Sequence, residues 1–267
     1  MRVPGRDPWA KLARWTPARI ALGRTGASLP TREVLAFALA HARARDAVHA
    51  PFDPSALTHA VAGLGMDTIE VTSDAIDRAL YLRRPDCGRR LSRASREALS
   101  RAGVPVDLAL VVGDGLSATA VHAHAVPLIA AFLPYVRRES LSLAPVVLAR
   151  GARVALGDEI GALLQARAVA ILIGERPGLS SSDSLGVYLT FAPRHGRSDA
   201  ERNCISNIRT EGLSYEVAAF KLAWLVREAF ARSLTGVGLK DASDLLLRDG
   251  SQAGAAAITP APAPDRR

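Results

Sequence analysis

Residues 104–136 read VPVDLALVVGDGLSATAVHAHAVPLIAAFLPYV. An unbroken apolar run, Leu108–Val112, ends in Gly113-Asp114-Gly115-Leu116-Ser117 and passes directly into a long helical stretch, Ser117–Val136. A strand with no polar alternation has both faces buried, as in a parallel sheet layered by helices. The pattern recurs downstream. Pro145–Leu148, Val169–Ile173 and Val187–Phe191 are further apolar runs, separated by helical stretches at Gly157–Ala166 and Ser214–Ser233. Strands alternating with helices predict an α/β domain with a mostly parallel sheet, Rossmann-like or flavodoxin-like in layout.

Ligands bind at the carboxyl ends of the strands in such sheets. The loops expected there are Gly113–Ser117, Arg150–Val154, Gly174-Glu175-Arg176-Pro177-Gly178-Leu179 and Ala192-Pro193-Arg194, all rich in Gly, Arg or carboxylates. Glycines after a strand let another backbone come close, and the free N–H groups at a helix start favour an anion. Ser117 can cap the helix it opens. The spacing fits neither a hydrolase elbow, a P-loop nor a dinucleotide fingerprint. Glu175 and Arg176 can pair structurally or hydrogen-bond a ligand.

Working back from residue 104, the chain reads as helix-rich. Thr31 and Glu33 open a helix in which Val34, Leu35, Ala38, Leu39 and Ala42 recur up to about His49. Pro51 and Pro54 end it and open a second, Ser55 to Leu64. Thr68–Val71 suits a short strand, and Ser73-Asp74 a cap for a helix carrying Ile76, Ala79 and Leu80. A further helix runs from Ser92 to Ala102. We divide the chain into an N-terminal arm (1–15), a helix-rich segment (16–103), the α/β domain (104–250) and a disordered Ala/Pro-rich tail (251–267).

Composition narrows the function classes. At 267 residues and 49% hydrophobic, the chain can bury a sizeable core. No apolar run reaches the roughly 18 residues of a membrane helix, and the N-terminus lacks a secretory core, so a cytoplasmic location without membrane insertion is expected. Two cysteines, Cys87 and Cys204, exclude a disulfide framework and lie in no zinc-type spacing. Each reads as a small buried residue. A thiol nucleophile would want a histidine beside it, and His195 is nine residues from Cys204. His122 and His124, two apart on a helix, point to different faces.

The net charge is +8, and the first 100 residues carry 16 cations against 10 anions. Arg83–Arg96 alone holds six arginines and one acid, Asp86. Nucleic acid could attract such a cluster, but the aromatics of a single-strand binder and any finger signature are missing. Arginine also serves protein interfaces through bidentate carboxylate pairing.

Five ordered segments carry a resemblance. They are Ala18–Gly26 running into Thr31-Arg32-Glu33; Tyr81–Asp86 with Gly88-Arg89-Arg90-Leu91; Asp114-Gly115-Leu116-Ser117; Gly174–Leu179; and Cys204-Ile205-Ser206-Asn207-Ile208. Together, across roughly Arg14 to Lys240, the chain resembles the small (light) subunit of ethanolamine ammonia-lyase. The resemblance implies a partner large subunit, a TIM barrel that binds ethanolamine, with adenosylcobalamin lying between the two. It implies release of acetaldehyde and ammonia through a radical born of cobalt–carbon homolysis, the cofactor carrying the chemistry. Family positions that contact cobalamin match Val154, Glu175 and Cys204. No catalytic residue or metal ligand is expected on this chain. No aspartate is followed two residues later by a histidine, so the cobalamin is expected base-on, without a protein histidine on cobalt. The resemblance leaves two locations open, free in the cytoplasm or inside a bacterial microcompartment. Family members of the second kind often carry a longer N-terminal extension than the roughly 15 residues here.

Two other readings remain at this stage: a free-standing α/β enzyme on a small substrate, and a basic nucleic-acid-binding protein. If the chain is a subunit, its arginine-rich part is expected to face the partner.

Overall fold

Alternation along the central strands sets the architecture. The computed structural model describes residues 8–16 and 18–248. The expected tail, 251–267, and the first residues of the arm lie outside the described residues. In strand β2 (Val106–Gly113), Leu108, Leu110 and Val112 enter one hydrophobic cluster, while Ala109 and Val111 enter another. In β4 (Ala166–Gly174), Ala168, Ala170 and Leu172 share the first cluster, and Val169, Ile171 and Ile173 the second. The sheet is therefore sandwiched, as the unbroken apolar runs predict.

Six strands stand in the order β1 (Thr68–Thr72), β3 (Val146–Arg150), β2, β4, β5 (Leu185–Phe191), β6 (Asn203–Ile208). The first four are mutually parallel; β5 and β6 pair antiparallel. The α/β expectation with a mostly parallel sheet holds. β1 belongs to this sheet, although it comes from the helix-rich segment before residue 104.

Helices α1 (Thr31–His49) and α2 (Pro54–Ala62) precede β1, and α3 (Arg78–Arg83) and α4 (Arg93–Ala102) link it to β2. Helix α5 (Ala118–Arg138) links β2 to β3, and α6 (Leu156–Leu163) links β3 to β4. Helix α7 (Tyr215–Arg232) follows β6, and the short α8 (Ser243–Arg248) ends the described chain. Residues of α2, α5 and α7 bury against one sheet face, and Leu99 of α4 with Leu156 and Ile160 of α6 against the other. Among the described residues α5 alone is long and apolar enough to cross a membrane, and it is the helix packed against α7 and the sheet.

Three local expectations change. Pro8–Trp15, within the expected loose arm, forms 3₁₀ turns. Ser73 does not cap a helix: its hydroxyl donates to Gly151 O, and α3 starts at Arg78 under the Asp77 cap, leaving Ile76 86% exposed. Helix α1 forms as expected, yet buries only Ala47 and leaves Val34, Leu35, Phe37 and Leu39 exposed.

Candidate functional site

The parallel register brings the ends of β1 to β4 to one edge of the sheet, at Thr72, Gly113, Arg150 and Gly174. Because β5 runs antiparallel, its start pairs there too, Gly174 with Leu185, and the end of β6 joins through Ile208. The same reversal puts Ala192-Pro193-Arg194 at the opposite edge, beside Ala168. That loop was expected at the site and does not reach it.

Two glycine loops meet at this edge. Gly115 has φ +56°, and a Cβ on it would fall 2.3 Å from Gly174 O. A Cβ on Gly174 would fall 2.1 Å from Ser117 O. Only backbone fits between them, and Leu116 N donates to Gly174 O (2.9 Å). Ser117 caps α5 by accepting from Ala120 N (3.2 Å), as its position predicts. Its hydroxyl also donates to Ser182 O and the residue is fully buried, so this helix start is sealed by protein rather than open to an anion.

Beside the glycine contact lies a cleft of ≈ 410 Å³ lined by Tyr81, Leu116, Arg153, Val154, Glu175 and Tyr188, among others. Helix α6 packs mainly on β4 and β2. On that side of the sheet Tyr188 of β5 stays half-buried, and Cys204 and Ser206 of β6 are exposed. The structure thus places Val154 and Glu175 in one cleft. Cys204 pairs with Tyr188 across the β5–β6 ladder and adjoins it.

Glu175 Oε2 accepts from the Ser184 hydroxyl and from Asn207 N (3.3 Å). Its own N–H donates to Ser184 O (2.9 Å). The carboxylate is held by groups of the β5 start and β6 end, with Oε1 lying 3.0 Å from where a Gly186 Cβ would stand. Burial raises the Cys204 thiol above its ordinary value against a hydrogen bond with Tyr188, and desolvation likewise raises Tyr188. The expectation of two buried cysteines is corrected: Cys87 is half-buried beside Asp86, and Cys204 is exposed because β6 is the sheet's edge strand.

Asp114, buried at the end of β2, accepts from Ala152 N (2.9 Å) and faces Arg78 at 3.7 Å. Burial raises its carboxyl, with the N–H groups of Ala152 and Gly151 and the Arg78 charge opposing. His122 and His124 do point apart, to Asp53 N (3.1 Å) and to the Tyr215 hydroxyl (2.8 Å). Among the described residues no three His, Cys, Asp or Glu gather as a metal cluster.

The arginine cluster is mostly neutralised within the chain. Arg84 and Arg90 face Asp86, Arg90 also faces Asp74, Arg93 pairs with Glu97, and Arg96 with Glu159. Among the described residues that leaves Arg83 and Arg89 exposed without such pairing, a weak footprint for a phosphate backbone.

Tyr188 was not foreseen. The usable sign was alternation: Val187 and Leu189 point into one core and Tyr188 away from it, which marks β5 as covered differently on its two faces.

Comparison with known proteins identifies a family. The family model for the ethanolamine ammonia-lyase light chain matches residues 6–240. A protein of Bradyrhizobium diazoefficiens named ethanolamine ammonia-lyase small subunit is 60% identical over 240 residues, covering 89% of this chain and 92% of the relative. Proteins of the same name from Xanthomonas campestris pv. campestris (58% over 246 residues; 91% and 90% covered) and Azotobacter vinelandii (56% over 252; 93% of each) are similar along the same length. The chain belongs to the ethanolamine ammonia-lyase light-chain family.

Proposed function

We propose that this chain is the small subunit of an ethanolamine ammonia-lyase and forms one wall of an adenosylcobalamin site completed by a large subunit. The observation that carries the reading is the convergence of Val154 and Glu175 on one cleft, with Cys204 beside it on an uncovered sheet face. The residues suit the group. A corrin is a broad ring rimmed with amides, so it needs an open surface with both acceptors and donors. Glu175, with Oε2 engaged by Ser184 and Asn207, offers its remaining oxygen to rim amide N–H groups. Arg176, exposed in the same loop, and the edge of β6 offer donors, and Val154 and Leu116 give apolar contact. When bound, adenosylcobalamin supplies the radical that rearranges ethanolamine to acetaldehyde and ammonia. This chain's part is to bind and orient the ring and to exclude water from one side.

The partner reading rests on exposed apolar surface. Leu35 and Leu39, and Val34 and Phe37, are neighbours on α1 at helical spacing, all about half-exposed or more. A large subunit that closes the cleft also covers this helix, since Ala36, Leu39 and Ala40 line a second hollow with the Gly178–Asp183 loop that follows Glu175. Replacing Glu175 by Ala in the assembled complex removes at least one amide bond and weakens equilibrium cobalamin binding about five- to tenfold. Spectral titration with cyanocobalamin measures it, and unchanged affinity would remove Glu175 from the site.

A further inference from the structure

We propose that Tyr81 is a positioning residue for the cofactor cleft, fixing through its hydroxyl the loop that presents Val154; this rests on the cleft assignment above. The segment Gly151–Val154 between β3 and α6 belongs to no strand or helix, and its peptide groups bond to side chains and loops from elsewhere in the chain. Gly151 O accepts from the Ser73 hydroxyl (2.8 Å), Ala152 N donates to Asp114 Oδ1 (2.9 Å), and Arg153 N donates to Gly88 O (2.8 Å). Ala152 O accepts from the Tyr81 hydroxyl at 3.1 Å.

Tyr81 is 1% exposed, and two cations pack against its ring. The Arg153 guanidinium lies 4.1 Å from the ring centroid and donates to Tyr81 O, and that of Arg78 lies 4.6 Å away. Arg78 also donates to Gly115 O (2.7 Å) and to Val48 O (2.7 Å). One helix turn of α3 therefore clamps both the Gly115 loop and the Val154 loop, the two loops that flank Glu175 in the cleft. Gly88 completes the clamp: a Cβ there would fall 2.8 Å from Arg153 Cγ and 2.9 Å from Gly151 O. Packing alone needs only the ring, which phenylalanine supplies at the same volume. What tyrosine adds is a hydroxyl that bonds Ala152 O and also meets the Arg78 side chain.

The test is Tyr81→Phe in the complex with the large subunit, read by cyanocobalamin equilibrium binding, amide hydrogen exchange across 150–154, thermal melting, and KM against kcat for adenosylcobalamin. Loss of one hydrogen bond predicts about fivefold weaker binding and a matching rise in KM. Exchange at 152–154 should accelerate, with kcat within about twofold and melting lowered by about 2–4 °C. Unaltered affinity and exchange overturn the proposal, as does a loss of melting temperature with kcat falling and affinity kept. Ser73→Ala, which frees Gly151 O of the same loop, should act in the same direction; where Tyr81→Phe fails to assemble, it decides alone. Glu175→Ala separates the two levels. If it leaves binding intact, the cleft assignment fails and this proposal with it; if it weakens binding while Tyr81→Phe does not, only the Tyr81 role fails.

Discussion

At residue scale the cleft is built from groups already partly engaged. Cys204 shows this best. Its thiol is raised by desolvation and shares a hydrogen bond with Tyr188, so its contribution is shape and backbone rather than reactivity. We expect Cys204→Ser to bind cobalamin within about twofold of the parent, whereas a bulkier Cys204→Trp blocks it; titration of the complex distinguishes them. Iodoacetamide should label Cys204 slowly at neutral pH and faster as pH rises past the ordinary thiol range. Glu201 gives the acid side. Donors from Ser198 N and the Arg197 guanidinium pull its carboxyl from 4.5 down to about 2. A carboxyl with a lowered folded value stabilises the fold above its unfolded value, and that contribution disappears as pH falls through about 2. Glu201→Gln should therefore melt below the parent at pH 7, with the gap closing between pH 4.5 and 2; a gap independent of pH in calorimetry contradicts this.

At element scale, the β5–β6 hairpin that carries Tyr188 and Cys204 is tied to the crossover layer by a buried pair. Arg202 and Asp158, each almost wholly buried, join the start of β6 to helix α6, and Arg202 also meets Asp199 and Arg197 O. Removing one partner strands a charge in the interior. Asp158→Ala should cost about 3–5 kcal/mol of unfolding free energy in denaturant titration, and less than 1 would show the pair is solvated. The hairpin was also the element hardest to read in advance. Val187–Phe191 was legible as a strand because it is apolar, but its direction was not. Asn203–Ile208 is a strand that reads as polar, because on the uncovered side Cys204 and Ser206 have no helix above them, and only Ile205 and Ile208 enter the core. Edge strands escape the apolar-run criterion for this reason. The central strands and helices α5 to α7 were legible, because burial on both faces writes itself into unbroken hydrophobic runs.

At the scale of the whole molecule, the centre of the sheet is buried on both faces, and the α6 face is left open over β5 and β6. Two glycine loops, a carboxylate and an open sheet face define a cleft. Helix α1 leaves Val34, Leu35, Phe37 and Leu39 exposed. Val154 and Glu175 fell in strand-end loops that the topology rule marks without any relative in view. Cys204 did not, since nothing in a polar hexapeptide announces that it adjoins the cleft. The clamp formed by Tyr81, Arg78 and Asp114 was equally hidden, because it joins residues that are distant in sequence and meet only once β1 enters the sheet beside β3.

The central claim is that this chain is half of a cofactor site. Reconstitution tests it most directly: purified chain, large subunit and adenosylcobalamin are combined in all pairings with ethanolamine, and acetaldehyde is measured. The account predicts release only when all three are present. Release by the chain alone, or equal release by the large subunit and cofactor without it, would contradict the account.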